Sequence, residues 1–161
     1  MNPAIIAQLQ GRPPGAAVIA ALEKLLADDS YLLYADASER SITHRFAMHL
    51  QDIFTNWSVD CEYNRNGLDP KRLNDIGLVN AADGGARTVF PDVIVHRRGR
   101  QENHLVIEFK KSSNAARDEL DLAKLRDFKR DLRFEFALFI KLATEYQADV
   151  AEVRWVDLEQ I

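Results

Sequence analysis

The sequence predicts an α/β domain of the α+β type, with elements ordered α-β-β-β-α-β-β behind an extra N-terminal helix. Three observations predict it. Apolar residues recur at three- and four-residue spacing over 16–28, 38–55 and 117–132; β-rich runs fill 59–63, 89–96, 104–110, 134–141 and 150–156; and breakers such as Arg12-Pro13-Pro14-Gly15 and Arg97-Arg98-Gly99-Arg100 separate them. One domain over 1–161 is expected, with 1–37 as a helical appendage and 38–156 as the core.

The elements follow in order. Val18, Leu22, Leu25 and Leu26 give the first helix its apolar stripe. Ser38 is a good N-cap for a second helix, in which Ile42, Phe46, Leu50 and Ile53 line one side. Glu39 precedes Phe46 by seven positions, so an acid points with the apolar face. Val59, Cys61 and Tyr63 alternate with Ser58, Asp60 and Glu62, as in a half-buried strand. Residues 64–88 hold four glycines and no clear period, and no conformation is assigned to them. Runs 89–96 and 104–110 form a hairpin turning near Arg100. A charged helix with Leu122, Leu125 and Phe128 inward comes next, then two strands.

Composition narrows the function classes. The apolar share of 47%, the charged share of 29% and few Gly and Pro describe an ordinary folded chain. No apolar run is long enough to span a bilayer and the first residues lack a secretory pattern, so a cytoplasmic protein without a membrane partner is expected. A lone Cys61 closes no internal disulfide and completes no cysteine-based zinc site. The formal charge of -4 conceals a split: residues 85–133 carry 12 Lys or Arg against 8 Asp or Glu, and the acidic excess lies elsewhere. Clustered cations attract a polyanion whatever the total, although a solvated hairpin and helix would share this pattern. No nucleophile elbow, phosphate-binding glycine loop or dinucleotide fingerprint is present.

The chemistry concentrates on the hairpin. Alternation puts Asp92, Ile94 and His96 on one face of its first strand, and Val106, Glu108 and Lys110 on one face of its second. A turn centred on Arg100 pairs positions whose numbers sum to about 200, setting Asp92 beside Glu108 and close to Lys110. Two carboxylates in apolar strands cost stability unless neutralised, and a divalent cation would neutralise them. Hard oxygen ligands suit magnesium or manganese. A structural ion pair between Lys110 and either acid is the alternative use of the same residues.

Pro91-Asp92, fifteen intervening residues, then Glu108-Phe109-Lys110 resembles the signature of the PD-(D/E)XK nuclease superfamily, of restriction-endonuclease-like fold. The resemblance covers about 38–156 and rests on the motif and the element order. It implies a central mixed sheet flanked by helices. It also implies that Asp92, Glu108 and the backbone carbonyl of Phe109 bind the metal, that Lys110 orients or deprotonates the attacking water, and that Glu39 matches the helical acid of many members.

The resulting expectation is a magnesium- or manganese-dependent nuclease hydrolysing phosphodiester bonds, with DNA ranked ahead of RNA. The competing expectation is a catalytically silent module of the same fold that binds nucleic acid or a protein partner. Lys111, Lys124, Arg117, Arg97, Arg98 and Arg100 are the expected phosphate contacts. A second copy of the chain or a partner protein would help choose the target. Ser112-Ser113-Asn114 is expected to cap the following helix. His96 and His104 also sum to 200 and would face each other across the hairpin.

Overall fold

A computed structural model describes residues 1–63 and 90–158 and, between them, the strand ladders pairing 65–66 with 69–70 and 72–73 with 87–88. The side chains of 64–89 lie outside the described residues, as does the expected strand start at Val89.

The main sheet has five strands: β1 (Ser58–Cys61), β2 (Val93–Arg97), β3 (Glu102–Lys111), β4 (Phe136–Ala143) and β5 (Asp149–Trp155). They lie side by side in chain order. All neighbours are antiparallel except β3 and β4, which are parallel and joined through helix α5 (Asp118–Leu132). A parallel pair needs such a crossover because a tight turn cannot reverse the chain twice. The architecture is therefore an α/β fold with a mixed sheet flanked by helices, and its α-β-β-β-α-β-β order agrees with the expectation.

Periodicity divides the core into two layers. Val93, Val95, Leu105, Ile107, Phe109, Leu138 and Ile140 point to one face of the sheet, where they meet the helices that precede it. Ile94, Val106, Ala137 and Phe139 point to the other, against Leu125, Phe128 and Leu132 of α5. This two-sided burial explains why β2 and β4 read as almost continuous apolar runs.

The N-terminal helices are α1 (Pro3–Gln10), α2 (Gly15–Asp28), α3 (Ser30–Tyr34) and α4 (Glu39–Ile53). Ser38 caps α4 as expected, its hydroxyl accepting from the Ser41 amide at 3.2 Å. The segment expected to be an appendage is instead built into the core: Leu9, Val18, Leu22, Leu25 and Leu33 are buried in the same cluster as Phe46 and Leu50. Burying side chains of this kind contributes about 1.5–3 kcal/mol each, so the first helices help hold α4 against the sheet. Gly15 permits the tight α1–α2 corner, since a Cβ there would come within 1.8 Å of the Leu9 carbonyl oxygen.

Two local departures follow from backbone geometry. Tyr63, expected beside Val59 and Cys61, packs on the α5 side because Glu62 takes φ 48° and ends β1. In the hairpin, Val93↔Ile107, Ile94↔Val106 and Val95↔Leu105 keep the expected register, but His96 pairs with Asn103. His104 is the extra residue of this bulge.

Candidate functional site

Glu108 and Lys110 project from the carboxyl-terminal half of β3 on the α5 side, and Asp92 stands immediately before β2. Pro91 explains how this corner is wired. Continuing the hairpin register would set Phe109 opposite Pro91, but the Pro91 carbonyl accepts from the Glu62 amide at 3.0 Å, and a proline has no N–H to give the Phe109 carbonyl. The Phe109 amide donates to Asp92 Oδ2 at 2.7 Å, which fixes the carboxylate over the end of the strand. A strand residue sends its N–H and C=O to the same edge, so the Phe109 carbonyl also faces that corner.

Glu108 is fully buried. Lys124 of α5 donates to its Oε2 at 2.5 Å, while Oε1 is buried with no hydrogen-bond partner among the described residues. Burial pushes the Glu108 carboxyl up to about 8, with the Asp92 charge adding to the shift. Burial likewise raises Asp92 to about 6, against the opposing hydrogen bond from Phe109 and charge of Lys124. Two acids that resist ionising together, one with an unpartnered oxygen, form a corner that favours an added positive charge.

Lys110 is buried but does not pair with Asp92 or Glu108. Its ammonium lies 3.0 Å from Asp121 Oδ2 and 3.5 Å from Asp118 Oδ1. Asp118 in turn binds Lys141 at 2.5 Å. The alternative of a structural Lys110 pair with the hairpin acids is therefore replaced by a pair with α5. On that helix Arg117, Asp121 and Lys124 succeed one another at four- and three-residue spacing and so share a face. These three line a cleft of about 160 Å³ together with Glu39, Asp92, Glu108, Lys110 and Asn114.

Glu39 reaches this cleft from the first turn of α4 and accepts from Asn114 Nδ2 at 3.0 Å. Asn114 Oδ1 accepts from the Ala116 amide, and Ser113 donates to Asp36 at 3.0 Å. The 112–114 run thus ties the β3 exit to the α3–α4 connection. It does not cap α5, whose N-cap position is Arg117 with no side-chain cap bond.

Of the six expected phosphate contacts, only Lys124 and Arg117 line the cleft. Lys111 binds Asp36 at 3.1 Å. Arg98 binds Asp60, whereas Arg97 and Arg100 both bind Glu102 at the far end of the hairpin. The expected histidine pair is absent: His96 bonds Asp60 at 2.8 Å, while the bulge turns His104 to the opposite face, where it bonds Glu135 and stacks on Trp57. Sequence reasoning missed Asp121 as a member of the site and the position of Lys124 at its centre. The helical spacing 117, 121, 124 after an acidic strand was the available signal.

Among the described residues no three His, Cys, Asp or Glu side chains are gathered closely enough to hold a metal ion by themselves. Asp92 and Glu108 are a pair, and the Phe109 carbonyl is the third protein oxygen directed at the corner. A small set of hard oxygens completed by water suits magnesium or manganese, and the orphaned Glu108 Oε1 fits that use.

No protein-family model, curated protein or solved structure matches this chain. No helix among the described residues is long and apolar enough to cross a membrane.

Proposed function

We propose that the chain is a metal-dependent nuclease of restriction-endonuclease-like fold, hydrolysing phosphodiester bonds with DNA as the preferred substrate. The observation that carries this reading is the meeting of Asp92, Glu108 and Lys110 in one open cleft at the carboxyl end of β3. Asp92, Glu108 and the Phe109 carbonyl would hold magnesium or manganese. The ion, when bound, lowers the pKa of a coordinated water and offsets charge developing on the phosphate.

The chain's own residues do the rest. Lys110, held by Asp121, presents an ammonium beside the acids and serves to orient the attacking water by donating a hydrogen bond to its oxygen. Arg117, exposed at the cleft mouth, binds a phosphate oxygen. Glu39 adds negative charge from the opposite wall.

Purified protein should cut DNA in magnesium or manganese. Asp92→Ala and Lys110→Ala should abolish cutting while circular dichroism shows the fold retained; undiminished cleavage by either variant would remove this mechanism. A second reading draws on the ion pairs that already occupy both lysines: a silent module that binds nucleic acid or a protein partner. Absence of divalent-cation binding, together with inert protein across DNA and RNA substrates, would favour it.

A further inference from the structure

The Glu108 carboxylate already has one cation, and it comes from α5. Lys124 Nζ lies 2.5 Å from Glu108 Oε2, and among the described residues no second carboxylate holds it in an ion pair. Lys110 differs, since its ammonium is shared between Asp121 and Asp118, outside the hairpin acids. Lys124 therefore supplies the positive charge nearest the buried pair. A divalent cation on the free Oε1 of the same carboxylate would stand beside the ammonium held on Oε2, and like charges this close repel.

Building on the metal-binding reading, we infer that Lys124 and a divalent cation compete for the Glu108 carboxylate, so that cation entry releases the Lys124 ammonium into the cleft. Its position fits both arrangements. It lies on the same helical face as Arg117, and its side chain is one-quarter exposed while that of Glu108 is fully buried. A long, flexible stem can swing its head group from a buried carboxylate toward a phosphate without moving the helix. The lysine would thus neutralise the acids until a cation arrives and then contact the substrate that the cation helps bind.

The test is calcium titration of the full chain by calorimetry at pH 9, so that proton competition for Glu108 does not mask the result. Wild-type protein should bind calcium, Lys124→Met should bind it about tenfold more tightly, and Lys124→Arg, which keeps the charge, should remain near wild type. Wild-type binding with equal or weaker binding by Lys124→Met would overturn the competition while leaving the metal site standing. No calcium binding by either protein would overturn the metal-site reading itself, and the competition with it. A readout that needs no variant is labelling of Lys124 by an amine-reactive ester, followed by mass spectrometry. Saturating calcium should raise it several-fold, and an unchanged or lower yield counts against release.

Discussion

The two ends of the β2–β3 hairpin contain the same ingredients and treat them in opposite ways. At the turn end, Asp60 from β1 receives hydrogen bonds from His96 and Arg98, each at 2.8 Å, with Arg98 reaching both carboxylate oxygens. Burial alone would raise this carboxyl, but those two partners hold it well below the usual carboxylate range. At the other end, Glu108 has, among the described residues, a single partner in Lys124, an unpaired oxygen and a second acid beside it, and it is pushed up to about 8. A half-buried acid with donors on both of its oxygens is a strut. One left short of donors and placed next to a like charge is destabilised in its ionised form.

Replacing the acids sharpens this contrast, and the largest effect concerns activity. Glu108→Gln should reduce magnesium-dependent DNA cleavage by about a thousandfold or more while leaving stability unchanged or improved, because it removes a charge the fold resists. Cleavage rates and urea unfolding measured on the same preparation check both halves; a strong loss of stability would place Glu108 among the struts.

Asp60→Asn should do the reverse. Weakening three charge-assisted hydrogen bonds should cost about 1.5–3 kcal/mol of stability, read from the unfolding midpoint. If the fold is unaffected, the turn-end network holds nothing together.

Acidity separates the two ends by sign. A carboxyl raised in the folded state keeps its proton after the unfolded chain has released it, so stability falls as pH rises. For Glu108 the fall runs from its ordinary value of 4.5 to about 8, and for Asp92 from 3.8 to about 6. Asp60 is lowered, so its contribution is present above 3.8 and fades only as pH drops further. Unfolding at pH 5 and pH 8.5 should show wild type weaker at the higher pH and Glu108→Gln less so; parallel slopes would mean that Glu108 ionises freely.

The smallest effect belongs to Glu39. Glu39→Ala should slow cleavage a few-fold or alter the preferred cation, with stability changing by less than about 0.5 kcal/mol. If rate and cation preference are both unchanged, Glu39 is a helix-terminal acid that suits the dipole of α4.

Much of the fold was legible because local rules and tertiary packing agree. Ser38 caps α4, Ile42, Phe46 and Leu50 are buried on its inward stripe, and the register summing to 200 holds over the three pairs from Val93 to Val95. That register brings Asp92 and Glu108 into one cleft with Lys110. Illegible parts depend on single residues that shift a pattern. The bulge at His104 flips Asn103 onto the α5 side, where its amide reaches the Leu132 carbonyl. Pro3–Gln10 is too short for its period to stand out from chance.

What the sequence determined by itself was alternation and turn placement, which are set by side chains two to four positions apart: the element order, the two faces of the hairpin and the acids on one of them. Tertiary structure alone decided which cation meets which acid. Lys110 lies two residues from Glu108 yet binds Asp121, whereas Lys124 lies sixteen away and takes Glu108. The reason is the packing of α5 across the sheet, where Leu125 and Phe128 against Val106 and Phe139 set the helix in place and so choose the charges that touch. Pairing over that span follows from where an apolar face comes to rest, which no local spacing records.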